Sequence, residues 1–426
     1  MKPFQPICLL AALVVTVAAC QPSVVQRPTP QAVATPSPPA AAKPRAIPTA
    51  GSLPSPPASS PTALARHVSL TLGDPQPLLR AGELGLFAAP DMHTAILQQP
   101  DHSYHVFITG RLDGPAARRG ATALLSTTDF KSFTPLAGSA AQARAVLAAS
   151  CDGVTTACLS NFDADYAGAN FVFPAADGKD LLMIYHGETR TFGATHNAQA
   201  PFYAEVGLAR SSDNGLTWTR QGAIISGSEP KPSANPKTSA NGAVEPGAII
   251  ANGFIYVFYA DFPVSNSSAS APSTIQVARA PVSGDGAPGT WTKYHDGAFG
   301  SQPGLGGLGS AVVPAGGACT RPAQPWPSYS TYLQSYVLVF VCEQGWFFST
   351  SADLASWAPP TRFYSAPARL FTEGQETDEN VILFTPGDSS QMIIGQNGYA
   401  LYARTPAWGS TPHELWARPF TFAASP

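Results

Sequence analysis

Acidic residues recur at matching places along this chain, and their spacing is its clearest indication of chemistry. Glu245 stands eight residues before Gly253, and Glu379 stands eight residues before Gly387, each just ahead of an apolar run of β type. The same register near the start of the chain falls close to Asp91. The pattern predicts that these carboxyl groups meet at one end of the fold. Two carboxyls whose pKa values are separated by burial can act as acid and base on a glycosidic bond.

A second group of polar residues surrounds these acids. Asn170 occupies the same register in another unit, so Asp165 or Asp163 would have to reach the acids from a loop. His186 follows Tyr185 in a strand-like run and is expected to face the channel or pocket, with a purely structural histidine as the alternative. The residues expected to contact substrate are His93, Asn170, His186 and Glu379.

The elements that must position these residues form five similar units. Each has an apolar β-type run, a short second run and an aromatic residue just past a turn; the cleanest copy spans Leu181–Gly187 and Val206–Trp218. Units that cannot bury their own faces must stack against copies of themselves. The sequence therefore predicts an all-β domain over 66–426, a five-bladed β-propeller of four-stranded antiparallel blades.

Two units are harder to divide into strands. In the fourth, we assign the first strand to Ser310–Val313, ahead of the run Tyr336–Cys342. In the fifth, we assign the second strand to Met392–Gly395. Trp326 and Tyr329 then lie in a long insertion, where they would stack on a sugar or cover blade edges.

Composition limits the classes of function. The chain of 426 residues is 44% hydrophobic, 12% charged and has a formal net charge of −3. It can bury a large core, and it has no basic field that would attract nucleic acid. Its 37 glycines and 43 prolines are typical of a turn-rich β protein.

One turn has a recognisable motif. Ser211, Asp213, Gly215, Thr217 and Trp218 match the Asp-box of sialidases at every defined position. Such Asp and Ser/Thr side chains bond the backbone across a tight turn, while the aromatic residue packs between blades. We interpret this motif as scaffold.

The five units, the turn Ser351–Trp357 and the acid that opens each early blade resemble the five-bladed glycoside hydrolases that include arabinanases and β-xylosidases. The resemblance covers about 87–420. It implies an Asp base, an Asp that adjusts the pKa of the acid, and a Glu acid, which fall on Asp91, Asp165 and Glu245. It implies no cofactor, although some members hold a calcium ion in the channel. The alternatives are a non-catalytic propeller that binds carbohydrate or protein, and a sialidase-like exoglycosidase.

The N-terminal segment predicts export. Residues 1–19 have a basic start and an apolar run ending at Cys20, as in the lipobox of bacterial lipoproteins, whose cysteine is lipidated. An ordinary cleaved signal peptide is the alternative. Gln21 follows Cys20, which by the same resemblance favours the outer membrane or cell surface.

Residues 20–65 are rich in Pro, Ala and Ser and are expected to form a disordered linker. We expect a monomer whose partners are a carbohydrate and, through the lipid, a membrane.

Four further cysteines suggest disulfides in an exported chain. Three connectivities are possible, and we favour the two local pairs, Cys151 with Cys158 and Cys319 with Cys342. No CxxC spacing occurs, so a structural zinc site is not expected.

Overall fold

The computed structural model describes residues 67–112, 120–151, 157–198, 200–236, 240–264, 272–314, 319–387 and 391–425. The predicted signal peptide, Cys20 and the predicted linker lie outside these residues. The described part of the chain is all-β, apart from short 3-10 turns at Glu83–Gly85, Ala157–Ser160 and Val282–Gly284. None of the described helices is long and apolar enough to cross a membrane.

The strands are numbered in chain order. The first ten are β1 (His67–Leu72), β2 (Gln76–Leu79), β3 (Leu86–Phe87), β4 (Ala95–Gln98), β5 (Tyr104–Leu112), β6 (Ala121–Thr127), β7 (Thr134–Pro135), β8 (Gly138–Ser139), β9 (Gln142–Ala143) and β10 (Ala145–Leu147). The next eleven are β11 (Tyr166–Pro174), β12 (Leu181–Thr189), β13 (Thr191–Phe192), β14 (Thr195–His196), β15 (Tyr203–Ser211), β16 (Thr219–Ile225), β17 (Gly242–Ala251), β18 (Phe254–Phe262), β19 (Thr274–Pro281), β20 (Thr292–His295) and β21 (Ala298–Pro303). The last are β22 (Ala323–Ser330), β23 (Ser335–Cys342), β24 (Gly345–Ser351), β25 (Thr361–Ser365), β26 (Thr377–Phe384), β27 (Ile393–Ile394), β28 (Asn397–Thr405) and β29 (Glu414–Ser425).

Sequence neighbours pair as antiparallel meanders. The chain runs through β4, β5 and β6, then β11, β12, β15 and β16, then β17 to β21, and then β22 to β25. The last meander, β26, β28 and β29, is completed by β1 from the other end of the described chain, with His67 opposite Ser425. Both ends of the described chain are thus held in one sheet.

The central strands are buried on both faces. Every residue of β12 is buried, and all but the first residue of β23 are buried. Runs rich in β-branched and aromatic residues suit strands that pack between two layers, because neither face meets water. This burial on both faces requires the sheets to stack face to face.

A β-bulge interrupts the first strand of four of these meanders at the same place. The pairing register shifts at Asn170 in β11, at Glu245 in β17, at Gln324 in β22 and at Asn380 in β26. Glu245, Gln324 and Asn380 have φ values of 48°, 55° and 54°. A bulge re-aims a side chain, and left-handed non-glycine residues of this kind cluster at functional sites.

The structure corrects two strand assignments. In the fourth unit the first strand is β22, which contains the buried residues Trp326 and Tyr329, whereas Ser310–Val313 forms no strand. Neither Trp326 nor Tyr329 is therefore a surface for sugar stacking. In the fifth unit the second strand is β28, and β27 pairs in parallel with β22 of the neighbouring meander.

The turn after β15 is held by its own polar side chains. Asp213 Oδ1 accepts hydrogen bonds from Ser211 Oγ at 2.8 Å and from the main-chain N–H of Thr217 at 2.9 Å. Trp218 packs edge-on against Phe107 of β5, with ring centroids 5.9 Å apart. The turn therefore joins neighbouring sheets at a distance from the acidic residues.

Both predicted disulfides are confirmed. Cys151 is bonded to Cys158, and Cys319 is bonded to Cys342. The second bond ties the segment before β22 to the end of β23 and so fixes the entry of the chain into β22.

Candidate active site

Asp91 lies in the loop after β3. Its main-chain N–H donates to Thr109 O at 2.8 Å, and its Oδ2 accepts a hydrogen bond from Tyr166 OH at 3.2 Å. The pKa of Asp91 is raised to about 6. Burial is the largest cause, and the charges of Glu379 and Glu188 add to it, against the opposing effects of His413 and Tyr166. The side chain is still 40% exposed, so water weakens the effect of enclosure while leaving its direction. Asp91 is thus a carboxyl that remains open to a ligand.

Glu245 projects from the bulge of β17. Its Oε1 accepts a hydrogen bond from Gln324 Nε2 at 3.1 Å, and its main-chain N–H donates to His186 Nδ1 at 3.2 Å. Burial raises the pKa of Glu245 to about 8, and the charges of Glu379, Asp91 and Glu188 act in the same direction. Glu245 is therefore protonated at neutral pH and can donate a proton.

Gln324 joins Glu245 to Glu379. Its Nε2 also donates to Glu379 Oε2 at 3.0 Å, and its Oε1 accepts the main-chain N–H of Asn380 at 2.7 Å. A main-chain N–H can only donate, so the amide oxygen must face Asn380 and the NH₂ group must face the two carboxyls. One amide nitrogen thereby holds two carboxyl groups close together.

His413 extends this chain of contacts to Asp91. Its Nδ1 lies 3.1 Å from Glu379 Oε1, and its Nε2 lies 3.7 Å from Asp91 Oδ1. Burial alone would lower the pKa of His413, but the hydrogen bond and charge of Glu379, together with Asp91, raise it. The raised pKa favours the protonated imidazole, whose charge partly offsets the crowded negative charge.

Glu188 is the acid that the second meander contributes to this site. It lies two residues after His186 in β12, and its Oε1 is 3.2 Å from His186 Nε2. Its Oε2 pairs with Arg190 Nη2 at 2.9 Å. Glu188 contributes to the raised pKa values of both Asp91 and Glu245, whereas Asp165 is not among the main contributors to either.

Asp165 and Asp163 have other partners. Asp165 accepts the main-chain N–H of Arg190 at 2.7 Å and lies 2.8 Å from His196 Nε2. Asp163 is buried against Tyr185 and Arg220. Asp165 thus contacts Arg190, which in turn pairs with Glu188, and Asp163 has a structural role.

Substrate contact was predicted for His93, Asn170 and His186, but each is 0% exposed. His93 lies between two carbonyls of the bulges, with Pro246 O 3.3 Å from Nδ1 and Gln324 O 3.3 Å from Nε2, and burial lowers its pKa to about 4. The prediction is corrected: these residues support the bulges from beneath. Glu379, at 4% exposure, also acts through its charge and hydrogen bonds rather than through a large contact surface.

The calcium ion implied by the resemblance would need several oxygen ligands near the acids. Of the two carbonyl oxygens beside His93, those of Pro246 and Gln324, one accepts the single N–H of the neutral ring. No group of three or more His, Cys, Asp or Glu side chains with metal-binding geometry occurs in the described ranges.

Comparisons with known proteins give distant structural overlaps only. No protein-family model and no curated protein matches the chain. The catalytic domain of a family 62 α-L-arabinofuranosidase from Coprinopsis cinerea is 12% identical, covers 83% of this chain and 97% of its own, and has a TM-score of 0.45. A Bacillus subtilis arabinanase is 13% identical over 78% and 95%, with a TM-score of 0.41. A family 117 glycoside hydrolase of Zobellia galactanivorans is 8% identical over 83% and 90%, with a TM-score of 0.46. Overlaps this distant carry no argument about the present chain.

Proposed function

We propose that the chain is a glycoside hydrolase in which Glu245 is the general acid and Asp91 the general base. The observation that carries the proposal is that two carboxyls with separated, raised pKa values, about 8 and about 6, are joined through Gln324, Glu379 and His413. At a pH between about 6 and about 8, Glu245 is protonated while Asp91 is ionised. This is the combination that glycoside hydrolysis requires.

The hydrogen bonds support a choice of the oxygen atom that acts in each carboxyl. Gln324 donates to Oε1 of Glu245, so the acidic proton resides on Oε2, which donates it to the leaving oxygen. Tyr166 occupies Oδ2 of Asp91, so Oδ1 is the oxygen that accepts a proton from water. His413 approaches that same oxygen from 3.7 Å and stabilises its ionised form.

We assign to Glu188, rather than Asp165, the role of adjusting the pKa of the acid. The charge of Glu188 raises the pKa of Glu245, whereas Asp165 accepts the main-chain N–H of Arg190 and lies 2.8 Å from His196 Nε2. Glu188→Gln should therefore move the alkaline limb of the pH profile downward, and Asp165→Asn should leave it in place. The opposite pattern would return this role to Asp165.

The finer architecture belongs to the same proposal. The meanders beginning at β4, β11, β17, β22 and β26 are the proposed five blades, and the pairing of β1 with β29 supports a closed ring. Export, lipidation at Cys20 and display at the outer membrane or cell surface rest on the sequence. A monomer that acts on an extracellular carbohydrate follows from that arrangement.

Hydrolysis of a panel of neutral polysaccharides by the intact protein tests the function. Glu245→Gln should lower turnover by at least about 100-fold, because the proton donor is lost. Glu205→Gln is the matched control: burial raises the pKa of Glu205 to about 7, but Glu205 is not among the main groups acting on the pKa of Glu245. Equal activity of the wild type and Glu245→Gln would refute the assignment. Binding of glycan without release of sugar would favour the non-catalytic alternative.

A further inference from the structure

The main chain of Glu245 has an unusual support. The residue has a φ of 48°, a left-handed conformation that costs about 1–2 kcal/mol for a residue with a side chain. Its N–H lies in the bulge, where no ladder partner accepts it, and a buried N–H needs an acceptor. That acceptor is the Nδ1 atom of His186, at 3.2 Å.

A histidine nitrogen can accept only when it carries no proton. His186 Nε2 lies 3.2 Å from Oε1 of Glu188, a carboxylate that is paired with Arg190 through its other oxygen. The carboxylate accepts a hydrogen bond from the Nε2–H group, which leaves Nδ1 unprotonated with a lone pair that can accept. Glu188 thereby selects the tautomer that can hold Glu245.

The ring of His186 has little freedom to turn. Tyr166 and Phe202 meet it edge-on, with centroids 5.6 and 5.9 Å away, and Arg190 lies 5.4 Å above the Phe202 ring. The main-chain N–H of His186 also donates to Asn170 Oδ1 at 3.2 Å. The acceptor therefore stands at a fixed position under the bulge of β17.

We propose that Arg190, Glu188 and His186 form a positioning relay, which holds the main chain of Glu245 in the left-handed conformation that aims its carboxyl. The inference rests on the proposed function of Glu245. None of the three residues is catalytic, because His186 is fully buried and acts only through the main chain. The relay predicts that turnover depends on an acceptor at the Nδ1 position.

A pair of substitutions at His186 tests the relay in the intact protein. His186→Leu removes the acceptor, and His186→Asn retains a side-chain oxygen near the place of Nδ1. We expect His186→Leu to lower kcat by about 100-fold, the effect of a misplacement of about 1 Å, with KM changed less than about 3-fold. His186→Asn should recover at least about 10-fold of that loss. His105→Phe, at another strand histidine outside the site, should leave kcat unchanged. Equal losses in the two His186 variants, with circular dichroism showing both folded, would overturn the relay.

A readout without substrate separates the relay from the proposed function. In histidine-selective ¹⁵N NMR of the wild type, we expect His186 to show a protonated Nε2 and an unprotonated Nδ1 coupled to the Glu245 amide across the hydrogen bond. A protonated Nδ1 would overturn the relay, whatever the activity. If the expected spectrum appears in a protein that hydrolyses no glycan, the catalytic assignment fails and the support of the Glu245 main chain stands.

Discussion

Replacing Glu379 with Gln removes the charge that acts most strongly on Glu245 while retaining one oxygen that can accept the hydrogen bond from Gln324. Glu379 is the first of the charged groups that raise the pKa of Glu245, after burial itself. A glutamine at 379 still offers an oxygen to Gln324 Nε2. On the side of Glu245 the substitution therefore changes the charge and keeps the hydrogen bond, whereas the contact with His413 Nδ1 is lost.

The size of the effect follows from the distances. Oε1 of Glu245 and Oε2 of Glu379 lie 3.1 and 3.0 Å from one nitrogen, so they are no more than about 6 Å apart. At that distance and an effective dielectric constant of about 20, a unit charge contributes roughly 2.8 kcal/mol, or about 2 pKa units. Glu245 is only partly buried, so water screens part of this. A downward shift of about 1–2 units is expected.

The sign of the change is visible in the pH dependence of kcat/KM. Glu245 works protonated, so activity is lost as the pH rises through its pKa, near 8 in the wild type. Asp91 works ionised, so activity is lost as the pH falls through about 6. Glu379→Gln should move the alkaline limb down by about 1–2 units. The acidic limb should move less, because Asp91 loses both the repulsion of Glu379 and part of the support from His413.

Glu205→Gln is the control for this experiment, since it also removes a carboxyl that is not among the main groups acting on the pKa of Glu245. It should leave both limbs in place. An alkaline limb that stays unchanged in Glu379→Gln would refute the reasoning, because that limb would then report a group other than Glu245.

Three further predictions concern stability, measured by thermal or chemical unfolding. Glu245→Gln should stabilise the protein at pH 8 by about 1–2 kcal/mol and have no such effect at pH 4. The reason is that a raised pKa makes the ionised carboxyl of Glu245 costly in the folded state. Equal effects at both pH values would contradict this. Asp378→Ala should destabilise by about 3–5 kcal/mol, because Arg404 is left buried without its two 2.8 Å contacts; a loss below about 1 kcal/mol would argue against that pairing. Replacing Cys319 and Cys342 together by Ala should cost about 2–4 kcal/mol, because the bond closes a loop of sequence separation 23; an unchanged midpoint under reducing and oxidising conditions would show that the bond contributes nothing.

The sequence predicted the strands whose apolar runs are long and bounded by turns. The second strands at Tyr104, Leu181, Phe254 and Tyr336 lie where their patterns indicated. Such strands can be predicted from a short stretch of sequence, because a strand that is buried on both faces requires a continuous apolar run. The two disulfides were also predictable, since each joins cysteines that are near in sequence.

Sequence reasoning missed residues that act through bulges and loops. Gln324 lies in β22, which begins with polar and proline residues that do not indicate a strand. The sequence therefore predicted Ser310–Val313 as the first strand of that unit. His413 comes from the loop before β29 and has no periodic signal. Glu188 could have been found, because it lies two residues after His186 and therefore points to the same face of β12.

The depth of each side chain could not be read from register alone. Asn170 and Glu245 occupy equivalent positions at bulges, yet Asn170 is fully buried and Glu245 is not. The difference lies in the packing of His93, which contacts Asn170 and the carbonyl of Pro246 beneath the bulges. Such packing depends on three separate meanders and has no counterpart in a single stretch of sequence.

The central claim is that Glu245 and Asp91 hold opposite protonation states at neutral pH. Titration of the side-chain carboxyl ¹³C resonances of the wild-type protein, assigned with Glu245→Gln and Asp91→Asn, measures this without knowledge of the sugar. We predict that Glu245 titrates near pH 8 and Asp91 near pH 6, so that at pH 7 Glu245 is protonated and most Asp91 is ionised. Two carboxyls that are both ionised at pH 7 would contradict the account.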